Sequence, residues 1–128
     1  MIVVLSRFSS QIYALLRIVA GLMFAQHGAM KLFGFPTGPP MTSNPMMLTA
    51  AIIEFGGGLM IALGFGTRIA AFLASGEMAV AYFMVHAKGG FWPVVNKGEL
   101  AVLYCFVFLY LASMGSGPIS LKGMMKKG

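Results

Sequence analysis

Four long apolar windows, at residues 11–33, 45–65, 68–87 and 98–115, constrain this chain more than any other feature. Each holds about 20 residues, enough at about 1.5 Å per residue to cross a hydrocarbon core about 30 Å thick. In lipid every backbone N–H and C=O needs an internal partner, so segments of this kind fold as helices. With 59% hydrophobic and 9% charged residues over 128 positions, the chain is too apolar for a soluble domain of its size. The short loops between windows require antiparallel neighbours. The expectation is an all-α integral membrane four-helix bundle, with residues 1–128 as a single domain.

The first window is expected to stay as a membrane helix. It is too long for the apolar stretch of a signal peptide, carries Arg17 and Lys31, and ends without a small-residue cleavage pattern. Cys105 lies alone in the fourth window and reads as a packing residue, with no intrachain disulfide. Arg7, Arg68, Lys122, Lys126 and Lys127 fall on one side of the bundle, against Lys31, Lys88 and Lys97 on the other. That asymmetry places both termini in the cytoplasm. The net charge of +6 therefore needs no nucleic acid, since the basic tail from Lys122 can rest on anionic headgroups. Pro36, Pro39, Pro40 and Pro45 keep the first loop from being helical throughout. In the tight turn Gly64-Phe65-Gly66-Thr67-Arg68, Thr67 is expected to cap the third helix. Phe91 and Trp92 in the last loop fit an interfacial anchor.

Close approach of helices in lipid needs small residues. Gly21 and Gly28 recur seven apart on the first helix, Gly56, Gly57 and Gly58 flatten the second, and Ala71, Ser75 and Ala79 form a row on the third.

The polar residues inside the windows define candidate sites. At 100° per residue, Arg17, Gly21, Phe24, Gly28 and Lys31 share one stripe. Met47, Glu54, Gly58 and Ile61 share a second, Ala70, Glu77, Ala81 and Met84 a third, and Glu99, Leu103, Phe106 and Tyr110 a fourth. A carboxylate in hydrocarbon is costly unless it faces protein, water or a partner charge, so these stripes predict a buried polar axis. Counted from the cytoplasmic ends, Arg17 lies about 9 Å deep, Glu77 about 13 Å and Glu54 about 16 Å, which suggests Arg17 between two carboxylates. Gln26, His27, Lys31, His86, Asn96 and Glu99, with Lys88 and Lys97, are expected to line a wetter outer vestibule. No metal site is expected from two histidines on separate helices, and the 12 methionines read as gap fillers. An ion pair that only fixes helix register is the structural reading of the inner layer.

The order of these residues resembles the DoxX family of small bacterial membrane proteins. The resemblance is carried by Arg17 to Gly34 (RIVAGLMFAQHGAMKLFG), by Glu54-Phe55-Gly56-Gly57-Gly58 leading to Gly64-Phe65-Gly66-Thr67-Arg68, and by His86 with Gly90-Phe91-Trp92 and Asn96-Lys97-Gly98-Glu99-Leu100. It covers nearly the whole chain. It implies four transmembrane helices in the cytoplasmic membrane, with polar residues at the positions of Arg17, His27, Lys31, Glu54, Arg68, His86 and Glu99. One departure is at the end, where Gly117-Pro118-Ile119-Ser120-Leu121 is followed by Lys122 instead of the aspartate common in the family. The resemblance further implies links to quinone-linked oxidation of sulfur compounds, to responses to oxidants or catechols, or, among distant relatives, to protein assembly or export.

The leading expectation is a membrane subunit or accessory of a quinone-linked or oxidative-stress oxidoreductase system. Arg17, Glu54 and Glu77, with Tyr82, Tyr104 and Tyr110 nearby, would bind quinone oxygens and move protons between apolar walls. The sequence holds no redox-cofactor motif, so a partner subunit would carry the electrons. The alternative is a noncatalytic assembly or cargo-binding module whose small-residue grooves take another protein's transmembrane helix. A third expectation is a small solute or ion transporter, which a lone four-helix chain would serve as a homo-oligomer.

Overall fold

A computed structural model describes residues 2–127, with side chains through residue 125. The side chains of Lys126 and Lys127, which belong to the basic tail, lie outside the described residues. In chain order the helices are α1 (Ile2–Ser6), α2 (Ser9–Phe33), α3 (Pro45–Leu63), α4 (Thr67–Gly89), α5 (Pro93–Asn96), α6 (Glu99–Met114) and α7 (Leu121–Lys127). Helices α2, α3 and α4 are long and apolar enough to cross a membrane, whereas α6 is apolar but has only 16 residues. The protein is an all-α membrane helical bundle.

Local chemistry sets the helix ends. Asn44 accepts hydrogen bonds from the Met46 and Met47 amides and is followed by Pro45, a cap and first-turn pair that starts α3. Gly64, at φ 74°, ends α3 in the left-handed conformation that favours glycine. The expected Thr67 cap is corrected. Gly66 is the residue before α4, and the buried Thr67 hydroxyl instead accepts a hydrogen bond from Ser116 at 2.8 Å.

Two helix pairs make the bundle. Helix α2 lies backbone to backbone on α3: a Cβ on Gly58 would stand 2.5 Å from the Ala25 nitrogen and 2.6 Å from the Gly21 oxygen, and one on Gly28 would collide with the Phe55 backbone. The second pair, α4 on α6, buries Ala70, Ala71, Ala74 and Met78 with Ala101, Tyr104, Phe108 and Leu111. Ser75 supports it by donating to the Cys105 carbonyl at 2.7 Å. Phe24 of α2 joins the pairs, its ring centroid 4.7 Å from Phe108 and 5.5 Å from Tyr104.

On α6 the expected stripe is the wrong one. Glu99, Leu103, Phe106 and Tyr110 point outward, and the buried face is Ala101, Tyr104, Phe108 and Leu111. A helix apolar all round carries little periodic signal, and Glu99 at its first turn says nothing about which face is buried. Ideal periodicity fails for a second reason in α3 and α4. Residues Ile53–Gly57 and Tyr82–His86 form π turns, which advance the helix by about 80° per residue instead of 100° and are frequent at functional positions.

Both arginines of the spans reach with their side chains to the C-terminal ends of other helices, where backbone carbonyls present partial negative charge. Fully buried Arg17 donates from Nε to Ile61 O at 3.0 Å, from Nη1 to Ser116 O and to Pro118 O at 3.0 Å, and from Nη2 to Ile119 O at 2.5 Å. Arg68 donates to the Ala112, Ser113 and Met114 carbonyls at the end of α6. The Tyr13 hydroxyl donates to Gly115 O at 2.5 Å. These bonds bring the start of α2, the end of α3 and the segment after α6 to one end of the bundle. Ser120 then starts α7, accepting from the Gly123 amide at 3.0 Å.

Candidate functional site

The glycine contacts set the antiparallel register of α2 and α3, and that register decides which charges meet. Gly28 lies on Phe55, so Lys31, one turn beyond Gly28, comes within side-chain reach of Glu54. Lys31 Nζ stands 2.6 Å from Glu54 Oε2, in an ion pair whose carboxylate is 1% exposed. Arg17 lies at the other end of the same register, against Ile61 and Ala62. The expected Arg17 bridge between carboxylates is therefore corrected. Arg17 is buried but bonded to carbonyls, seven residues or about 10 Å along α3 from Glu54.

Glu54 lies in the π turn of α3, which packs against α4, and its carboxyl is near enough to that of Glu77 for the two to interact. Tyr104 of α6 faces the same group closely enough to feel its charge. The exposed His27 ring packs edge-on to Tyr104 with centroids 6.1 Å apart. Three buried oxygens here have no hydrogen-bond partner among the described residues: Glu54 Oε1, Glu77 Oε1 and the Tyr104 hydroxyl. Two ionised carboxylates are both acceptors and cannot satisfy each other. One ammonium also stands against two carboxyls. The unpartnered oxygens can accept hydrogen bonds.

The residues expected in one outer vestibule have different partners. Lys31 belongs to the Glu54 pair. His86 Nδ1 is 3.3 Å from Asn96 O, and Asn96 is a loop organiser that donates to Gly90 O at 2.9 Å and to the Tyr82 hydroxyl at 3.0 Å. Gln26 lines an apolar surface groove of about 620 Å³ with Leu22, Met23, Phe33 and Phe55. Glu99 lines a separate groove with Pro93, Leu103 and Phe106. Of the three tyrosines singled out, Tyr82 donates to Phe91 O and Tyr110 points outward, and only the Tyr104 hydroxyl is buried without a partner among the described residues. Among the described residues no three of His, Cys, Asp and Glu are placed together to hold a metal ion.

The DoxX family model matches residues 12–87, more than half of the chain. The chain belongs to the DoxX family. The matched part of this DoxX protein spans α2 to α4 and includes Lys31, Glu54 and Glu77, while Tyr104 lies beyond it. An uncharacterised protein of Haemophilus influenzae is 42% identical over 124 residues, covering 91% of this chain and 92% of that protein. A Bacillus subtilis protein named "Putative oxidoreductase CatD" is 29% identical over 119 residues, covering 89% of this chain and 87% of its own. No solved structure matches the chain.

Removing either partner of the Lys31–Glu54 pair should have unequal effects. Lys31→Met leaves the Glu54 carboxylate buried beside Glu77 without its cation and should lower stability by about 3 kcal/mol. Glu54→Gln leaves Lys31, which is 22% exposed and can extend its ammonium towards the interface, so the loss should be smaller. Thermal unfolding of both variants in one detergent measures the order. A more stable Lys31→Met variant would contradict the pairing.

Proposed function

We propose that this DoxX protein is a membrane subunit or accessory of a quinone-linked or oxidative-stress oxidoreductase system, and that Lys31, Glu54, Glu77 and Tyr104 form its proton-handling site. The observation that carries the reading is the set of three unpartnered buried oxygens beside a buried ion pair. Polar atoms withheld from all protein partners cost stability, and such a cost is usual where a ligand or proton is handled. The donors and acceptors suit a quinone and its quinol. Lys31 can donate to a ring carbonyl, while Glu54, Glu77 and Tyr104 can accept from ring hydroxyls. A bound quinone would supply two-electron redox chemistry, and the carboxyls would take up or deliver the accompanying protons. The name of the Bacillus subtilis relative points to the same class of activity.

The assembly-module reading draws less support, because Gly21, Gly28 and Gly58 are occupied by contacts between α2 and α3 and are closed to a foreign helix. In this account the protein lies in the cytoplasmic membrane with both termini inside, as the Lys and Arg distribution favours. A reporter fused after Gly128 should be active only in its cytoplasmic form. Activity of a reporter that works only outside would reverse the orientation. Purification from native membranes tests the function itself: a quinone and a redox-active subunit should accompany the protein. Recovery of a stoichiometric membrane partner that has no redox group and carries no quinone would favour assembly instead.

A further inference from the structure

Gln26 is an unusual residue for the lipid-facing side of a membrane span. It is exposed on α2 and lines the surface groove beside α3 with Leu22, Ala29, Phe33 and Phe55, and every other residue of that groove is apolar. Its neighbour Ala25 lies on Gly58, which puts Gln26 near the level of Gly57. Gln26 is therefore about 10 Å from the end of α2 at Phe33 and about 9 Å inside the end of α3 at Leu63. Its carboxamide carries two N–H donors and an acceptor oxygen, and at that depth lipid satisfies neither. The α2–α3 contact does not use the group. Gly21, Ala25 and Gly28 make that contact, on a face centred about 120° around the helix from Gln26.

The exposed residues in line with Gln26 repeat like a helix-pairing seam. Ile12, Leu15, Val19, Leu22, Gln26 and Phe33 are all exposed and, with Ala29, follow one another at alternating spacings of three and four. That is the heptad pattern of two helices packed side by side, in which one polar residue fixes register and the number of partners. In a span the apolar members say little, because lipid is as apolar as they are. The polar member carries the signal, since side-chain hydrogen bonds between helices help to hold membrane pairs together.

We propose that a second copy of this chain covers the Gln26 stripe, forming a parallel α2–α2 pair about a two-fold axis along the membrane normal, with reciprocal hydrogen bonds between the two Gln26 carboxamides. Copies inserted with the same topology carry residue 26 at the same depth, so the two-fold brings each Gln26 opposite its equivalent. The carboxamide is self-complementary, because each supplies the donor that the other accepts. A charged residue at this position would instead repel its own copy. The proposal is independent of the redox reading, and the Lys31–Glu54 pair stays within each protomer.

Density-matched sedimentation equilibrium in a mild detergent measures the association of the wild type, Gln26→Leu and Gln26→Asn. The wild type should be dimeric. Gln26→Leu should weaken dimerisation roughly tenfold, the range of one or two interhelical hydrogen bonds, while Gln26→Asn stays within about threefold. Leucine is well accommodated in lipid at an exposed position, so the protomer should still fold. Oxidative crosslinking in native membranes, with Cys105→Ala removing the native thiol, gives a second readout. Leu22→Cys, in the stripe, should form a covalent dimer, and Phe72→Cys, exposed on α4, should stay monomeric. Failure of Leu22→Cys to crosslink, or crosslinking from Phe72→Cys instead, would overturn the second copy. Wild-type dimerisation by Gln26→Leu would overturn the role of Gln26. A different membrane protein recovered with the wild type and lost with Gln26→Leu would assign the stripe to that partner and also overturn the proposal.

Discussion

Gly58→Leu is expected to unfold the α2–α3 pair. Its Cβ alone would lie 2.5 Å from the Ala25 nitrogen, and the nearest atoms are all backbone, so no side chain can rotate away. The helices would have to separate, which breaks the Gly21 and Gly28 contacts along the same line and displaces Lys31 from Glu54. Overpacking usually costs about 1–3 kcal/mol, and with no soft neighbour to yield the loss here should exceed about 3 kcal/mol. In lipid no hydrophobic drive reassembles a parted helix pair, because association depends on the close packing that is lost. Gly56→Ala, two residues away with open space around it, should be neutral or stabilising by up to about 1 kcal/mol through helix propensity. Thermal unfolding in a mild detergent, with size-exclusion behaviour as a check on the fold, separates the two. A folded Gly58→Leu variant with the wild-type midpoint would refute the packing described for α2 and α3.

That contrast marks where the sequence could be read and where it could not. Lipid forces backbone hydrogen bonds inside each segment, so the apolar windows reveal the helices almost to the residue: residues 98–115 became Glu99–Met114. The stripe Arg17, Gly21, Phe24, Gly28 and Lys31 was legible because its phase is regular and α2 contains no π turn; four of the five are buried and Lys31 is half-buried. The partner of Glu54 was not legible. Depth counted from assumed helix ends favoured Arg17, whereas the true alignment is fixed by which glycine meets which backbone. The pairing of Gly28 with Phe55 carried the needed signal, and extending it by one turn leads to Lys31. Two other features were out of reach. The π turns are not visible in any periodicity, and the Arg17 donors go to backbone carbonyls, which leave no trace in residue identity. The tight turn at Gly64 and the Ser116–Ile119 segment supply those carbonyls through their conformation. The aspartate missing after Leu121 therefore leaves Arg17 satisfied, without any carboxylate beside it.

The central claim is that the carboxyls at the heart of the bundle perform work beyond holding helices together. The double variant Glu54→Gln, Glu77→Gln keeps the shape of both side chains and adds amide donors that can satisfy the unpartnered oxygens, while it removes both titratable groups. The ion pair is lost under either reading, so a structural pair and a proton-handling site part in their activity per folded molecule. For the structural pair, the loss of the Lys31 ion pair lowers the thermal midpoint, and activity stays proportional to the folded protein present. For the proton-handling site, quinone-linked activity should fall by about 10²-fold or more, the range associated with a positioned acid or base, at unchanged expression and fold. The decisive measurement is therefore quinone-linked activity per folded molecule for the double variant, in membranes that contain the native partner, with the thermal midpoint taken on the same preparation. The account predicts a folded and nearly inactive protein; full activity per folded molecule would contradict it.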